Sequence, residues 1–234
     1  LPLWMSACQS PATPPPMPDS RQTIRYLALG DSYTIGESVP ESDRWPVQLI
    51  RLIETSPQFE QMGGTQGGIN LTLIARTGWT TDELWAAIQQ RGVEPPYDLV
   101  SLLIGVNNQY RGRSLDAYRE DFRFLLGKAI EYAGGDPGRV IVLSIPDWSV
   151  TPFARFDPRT PGQIAAEIDA FNAVNREETE KAGARYIDIT PGSRDARTDS
   201  TLIAEDGLHP SAAMYAQWAQ AALPAALQAL GLAP

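Results

Sequence analysis

The chain has 234 residues and a hydrophobic fraction of 43%, enough for one α/β domain with a sizeable core. Its net charge of −9 argues against a nucleic-acid partner, because phosphate neutralisation needs clustered Lys and Arg, and against attraction to an anionic membrane surface. A single cysteine excludes an intrachain disulfide, and the body of the chain has no apolar run near the roughly 18 residues of a membrane span.

That cysteine comes first along the chain. Cys8 closes Leu3-Trp4-Met5-Ser6-Ala7-Cys8 and precedes a stretch carrying Pro11, Pro14, Pro15, Pro16 and Pro18. Small residues before a cysteine, followed by a polar, Pro-rich segment, resemble the end of a bacterial lipoprotein signal. On that reading Cys8 carries a lipid as the only membrane link, residues 9–22 form an extended tether, and the domain at 23–234 sits at the bacterial cell envelope. The alternative is a disordered tail with an incidental cysteine on a secreted domain.

From residue 23 onward, short apolar runs alternate with helical periods. Ile24–Leu29 is the first predicted strand. Trp45, Leu49 and Leu52 then recur at helical spacing, with Pro46 near the helix start, where its missing N–H is harmless. The glycine-rich run Gly63-Gly64-Thr65-Gln66-Gly67-Gly68 precedes a strand instead of following one, so it reads as a flexible turn and not a phosphate loop. Ile69–Ala75 is the second strand, and Thr80-Thr81-Asp82-Glu83 has the spacing of a capping box ahead of Leu84 and Ile88. Leu99–Ile104 and Val140–Ile145 are apolar nearly throughout, as strands buried on both faces of a parallel sheet should be. Between them Ser114 starts a helix aligning Leu115, Tyr118, Phe122 and Leu125. Ile164, Ile168, Phe171 and Val174 form the next stripe, Arg185–Ile189 the fifth strand, and a last helix runs from Ser211 until Pro224 bends or ends it. Strands alternating with helices in this way predict a three-layer α/β/α sandwich around a five-stranded parallel sheet. Ligands in such folds bind beyond the carboxyl ends of the strands, here after Leu29, Ala75 and Ile104.

Residues with chemistry sit at those ends. Gly30-Asp31-Ser32 places a serine on a strand-to-helix turn, with its hydroxyl above the sheet edge and its N–H facing the space a substrate would fill. The stretch is not the G-x-S-x-G elbow, since Thr34 holds the last glycine position. A serine hydroxyl needs a base near neutral pH, and the chain holds one histidine, His209, in Asp206-Gly207-Leu208-His209-Pro210. Asp206, three residues upstream, can reach the same imidazole and fix its tautomer. After the second strand, Gly78 in Arg76-Thr77-Gly78-Trp79 lets an N–H approach a substrate oxygen, and after the third Asn107 offers side-chain N–H donors. With the Ser32 N–H these give three donors for an oxyanion. Taken singly, Ser32 also reads as a helix cap and Gly78 and Asn107 as turn residues.

These segments, in this order, resemble the blocks of the SGNH (GDSL-type) hydrolases over residues 23–230, with Ser32, Gly78, Asn107 and His209 at the four positions that name the family. The resemblance implies a flavodoxin-like sandwich, no metal or organic cofactor, and hydrolysis of a small-molecule ester through an acyl-enzyme. It makes Ser32 the nucleophile, His209 and Asp206 its partners, and Ser32, Gly78 and Asn107 the oxyanion hole. Asn108 stands where relatives commonly carry Asp, which alters the hydrogen bonding behind Asn107. Tyr33 stands where many carry Leu, which predicts a more polar entrance beside the nucleophile. Tyr33, Trp79, Asn108, Tyr110 and Trp148 are the expected substrate-binding residues, the last of them in a segment 146–160 that also holds Phe153 and Phe156. A short-acyl carboxylesterase, a carbohydrate deacetylase, a lysophospholipase and a thioesterase all fit. The competing class is a non-catalytic, glycan-binding module on the same scaffold.

Overall fold

Parallel pairing organises the whole structure, a computed structural model that describes residues 23–61, 63–65 and 67–232. Cys8 and the expected tether lie outside the described residues. The first strand, β1 (Ile24–Gly30), leads into a short helix α1 (Ser32–Ile35), then α2 (Trp45–Glu54) and α3 (Pro57–Gln61). Strand β2 (Ile69–Ala75) feeds α4 (Thr81–Arg91), and β3 (Leu99–Leu103) feeds α5 (Val106–Tyr110) and α6 (Leu115–Tyr132). The remaining strands are β4 (Val140–Leu143), followed by α7 (Pro161–Ala182), and β5 (Arg185–Ile187), followed by α8 (Thr190–Ser193) and α9 (Ala212–Ala229).

The strands form one five-stranded sheet in the order β2-β1-β3-β4-β5, every neighbouring pair parallel. All residues of β3 and β4 are buried, as their unbroken apolar runs require in a sheet covered on both faces. Helices α2 and α9 pack together, and α6 packs between α4 and α7, so the sheet lies inside a three-layer sandwich. The stripe Ile164, Ile168, Phe171 and Val174 on α7 is buried, as is Tyr118, Phe122 and Leu125 on α6. Inside this core the single Tyr118 hydroxyl proton has two acceptors within reach, Asn175 Oδ1 at 2.6 Å and the Ile104 carbonyl at 3.0 Å.

Local start signals hold where the sequence places them. Glu83 reaches back to accept the Thr80 N–H at 2.9 Å, and the Ser114 and Ser211 hydroxyls cap α6 and α9. Pro224, by contrast, does not end the last helix, which continues to Ala229. A proline removes one ladder hydrogen bond, but Ala219, Ala222, Ala226 and Leu227 bury the same stripe on both sides of it, and that packing holds the turn. Between β4 and α7 the chain makes two short 3₁₀ turns, Trp148–Val150 and Pro152–Phe156, which carry aromatic side chains to the sheet edge.

Candidate active site

The strand order fixes where a ligand can sit. β1 pairs with β2 on one side and with β3 on the other, so the chain leaves β1 and β3 toward opposite ends of the sheet and opens a crevice at their carboxyl ends. Ser32 follows β1 directly and Asn107 follows β3, on opposite lips of that crevice.

Asp31 starts α1 by accepting the Tyr33 N–H on Oδ1 at 3.0 Å, and the first turn leaves the Ser32 N–H without an intrahelical acceptor. The helix ends at once, with Gly36 left-handed and the N–H groups of Gly36 and Glu37 both on the Ser32 carbonyl at 3.0 Å. This pins Ser32 from both sides. Asp31 itself is fully buried, and its Oδ2 has no partner among the described residues. Burial pushes its carboxyl up to about 7, against the opposing N–H bonds from Tyr33 and its own backbone.

His209 stands in the same cleft. Asp206 Oδ1 accepts the N–H groups of Leu208 and His209, each at 2.9 Å, and this turn swings Oδ2 to His209 Nδ1 at 2.6 Å. The three-residue spacing therefore does what the sequence suggests. Partial burial raises the Asp206 carboxyl, but donors from Ser38, the His209 ring, and the His209 and Leu208 backbone outweigh it and lower it to about 2. The carboxylate stays charged over the whole working range of an enzyme. Ser38, the donor nothing in the sequence marks, gives its hydroxyl to Oδ2 at 2.6 Å. Ser32 and His209 line the same cleft without a hydrogen bond between them; such pairs commonly tighten only when substrate is bound.

Gly78 has φ +86°, a conformation that favours glycine, and its N–H has no acceptor among the described residues. Its carbonyl accepts Arg111 Nη2 at 2.6 Å, and Arg111 Nη1 reaches Glu83 at 3.1 Å. Asn107 Nδ2 donates to the Trp79 carbonyl at 2.9 Å, which uses one of its two amide hydrogens and leaves the other for the cleft. The segments that carry Gly78 and Asn107 are thus tied to each other.

Two expected substrate contacts, and the polar entrance expected from Tyr33, need correction. Asn108 is fully buried, accepts the Thr81 N–H at 3.1 Å and donates to the Thr81 hydroxyl at 2.8 Å, so it fastens the start of α4 and does not face the cleft. The one-residue step along α5 from Asn107 turns it to the other side. Trp79 is half-buried against the core and its ring is not among the cleft walls; its carbonyl accepts the Asn107 amide. Tyr33 lines the cleft but does not make its entrance polar. Its ring is 3% exposed and packs edge-on against His209 at 5.7 Å and Trp218 at 6.0 Å. Burial, and then the nearby carboxylates of Asp31, Asp147 and Asp206, keep its hydroxyl neutral.

The cleft encloses about 150 Å³, with Ser32, Gly78, Asn107 and His209 at its polar end and Val106, Tyr110, Trp148, Phe153 and Leu208 as apolar walls. Trp148 is held by its Nε1–H on Gln109 Oε1 at 2.9 Å, and Tyr110 stands edge-on to it at 5.6 Å. Phe156 lies outside, 75% exposed. Among the described residues no helix is long and apolar enough to cross a membrane.

No curated protein matches the chain. Solved structures do, in fold: a lipolytic protein of the G-D-S-L family from Veillonella parvula is 19% identical over 86% of this chain and 97% of its own, with a TM-score of 0.62. A lipase/acylhydrolase from Enterococcus faecalis is 19% identical over 86% of this chain and 94% of its own, with a TM-score of 0.63. An acetylxylan esterase from Geobacillus stearothermophilus is 19% identical over 92% of this chain and 98% of its own, with a TM-score of 0.62. The profile of the GDSL-like lipase/acylhydrolase family matches residues 28–217, a span that contains every residue of the cleft. The chain belongs to the GDSL-like lipase/acylhydrolase family, and with it to the ester hydrolases.

Proposed function

We propose that the protein hydrolyses esters of short acyl groups through an acyl-enzyme on Ser32. The observation that carries the reading is the single small cleft in which Ser32, the Asp206–His209 pair and two unused oxyanion donors meet. His209 takes the Ser32 hydroxyl proton as the oxygen attacks the ester carbonyl, and Asp206 holds the imidazolium that results. The Ser32 and Gly78 N–H groups and the free amide hydrogen of Asn107 receive the oxyanion. The proton then passes to the leaving alcohol, and a water activated by His209 releases the acid and restores Ser32.

Cleft size supports a short acyl group. A volume of about 150 Å³ lies well below the usual roughly 300–1,000 Å³ of drug-sized sites. Long acyl chains of lysophospholipids or fatty thioesters exceed it. The alcohol side is roomier, since a groove of about 700 Å³ begins at Tyr110 and is lined by Arg111, Arg113, Asp157, Arg159 and Glu167. Hydrogen-bonding side chains beside an exposed ring suit a polyhydroxylated alcohol, the class of the acetylxylan esterase neighbour's substrate.

A panel of p-nitrophenyl esters from acetate to palmitate, with acetylated xylo-oligosaccharides beside it, tests this. The expected result is turnover falling steeply beyond butyrate and abolished in Ser32→Ala with the fold kept. Faster hydrolysis of palmitate than of acetate overturns the acyl assignment, and near-wild-type rates in Ser32→Ala overturn the nucleophile. Lipidation of Cys8 belongs to the same proposal as the means of holding the enzyme at the envelope. Protein expressed with a signal should enter the detergent phase, and Cys8→Ala should release it; identical partitioning of the two refutes the anchor.

A further inference from the structure

The loop that leaves the nucleophile helix touches all three parts of the site. Gly36 and Glu37 donate their N–H groups to the Ser32 carbonyl. The Glu37 carboxylate accepts the hydroxyl of Thr77, next to the oxyanion glycine Gly78. Ser38 gives its hydroxyl to Asp206 Oδ2 at 2.6 Å, across 168 positions of sequence, and Oδ2 also accepts His209 Nδ1 at 2.6 Å. Ser38 does this with φ +67°, the one non-glycine residue of positive φ among those described. Side chains disfavour that region, so the loop holds Ser38 against its own backbone preference.

We propose that Ser38 is a positioning residue for the reaction, whose hydroxyl orients the Asp206 carboxylate and tempers its pull on the His209 imidazolium. The inference rests on the triad reading above. A carboxylate oxygen shares its charge among the donors it accepts. With Ser38 present, part of the charge on Oδ2 is taken up by the hydroxyl. With Ser38 removed, that charge faces the imidazole alone and favours its protonated form. The resting ring then holds its proton to higher pH, and a base that is protonated cannot accept the proton of Ser32.

The groups facing this pair are few. Tyr33 packs on the ring and Tyr215 lies nearby, and burial raises both hydroxyls far above the working range. Glu37 is engaged by Thr77. Asp31 is a buried carboxyl that changes charge near neutrality, but it makes no hydrogen bond to Ser38, Asp206 or His209, so its effect is common to wild type and variant.

The test compares Ser38→Gly, which accepts the left-handed backbone without strain, with Ser38→Ala. Hydrolysis of p-nitrophenyl acetate is followed across pH, and the lone imidazole is titrated by NMR in the resting protein. Both variants should lose up to about tenfold in kcat/KM at neutral pH, the worth of one hydrogen bond. In both, the acid limb and the NMR midpoint should move up together. A rate loss with the midpoint unmoved or lowered overturns the proposal, because mere loosening of the loop does not strengthen the carboxylate. A wild-type profile in Ser38→Gly beside a damaged Ser38→Ala also overturns it, leaving only a backbone role. The NMR midpoint is readable without turnover. Failure of the triad reading, seen as an active His209→Gln, is therefore distinguishable from failure of this inference.

Discussion

Replacing Asn107 separates transition-state stabilisation from structural support. The side chain is half-buried and does two things: one amide hydrogen bonds the Trp79 carbonyl at 2.9 Å, and the other is left for the cleft. Losing an oxyanion donor lowers kcat by about 10²–10³, or roughly 2.7–4 kcal/mol. Losing the bond to Trp79 costs about 0.5–1.5 kcal/mol of stability. For a domain of this size that is a fall in Tm of about 2–4 °C per kcal/mol. Asn107→Ala should therefore show a large drop in kcat, little change in KM, and a modest drop in Tm. Asn107→Asp should be worse in kcat, since a carboxylate has no hydrogen to donate and sets a negative charge beside the developing one. Steady-state kinetics on p-nitrophenyl acetate with thermal unfolding of the same samples measures both effects. A raised KM at unchanged kcat makes Asn107 a ground-state binder and refutes the oxyanion assignment.

Further outcomes follow from the same geometry. The buried Asp31 carboxyl holds its proton to about 7 in the fold but releases it near 3.9 when unfolded, so stability falls as pH rises through that window, by at most about 4 kcal/mol. Asp31→Asn keeps an acceptor for the Tyr33 N–H and should flatten that slope in denaturant titrations; an unchanged slope contradicts burial as the cause. His209→Gln should abolish turnover and its acid limb, and in wild type the kinetic midpoint should match that of the single imidazole by NMR. A mutant with a normal rate and the same limb makes His209 structural. Gly105 has φ +128°, and a Cβ there would lie 2.3 Å from the Tyr118 hydroxyl and 2.9 Å from Ile145 Cδ1. Gly105→Ala should cost about 2–5 kcal/mol from strain and overpacking, and a Tm within a degree or so of wild type would show that the turn is not needed.

What the sequence determined by itself was whatever is encoded at short range. Apolar runs placed five strands and the stripes that cover them, because alternating or unbroken burial is a property of a few consecutive residues. Thr80 with Glu83 and Asp206 with His209 were legible for the same reason: three residues of turn bring their atoms together wherever the turn sits. The last turns of strands and helices were less legible, since β3, β4 and β5 stop short of their apolar runs where no partner strand continues. Only the tertiary structure decided which lip each loop joins. The hydroxyl of Ser38 on Asp206, Arg111 on the Gly78 carbonyl and Asn107 on Trp79 are long-range contacts, created by the order in which parallel strands cross over. It also decided facing. Asn108 and Trp79 each sit one residue from a cleft residue, and one residue on a helix or turn is enough to reverse a side chain's direction. A side chain's type is local information, but what it meets depends on elements brought alongside from elsewhere in the chain.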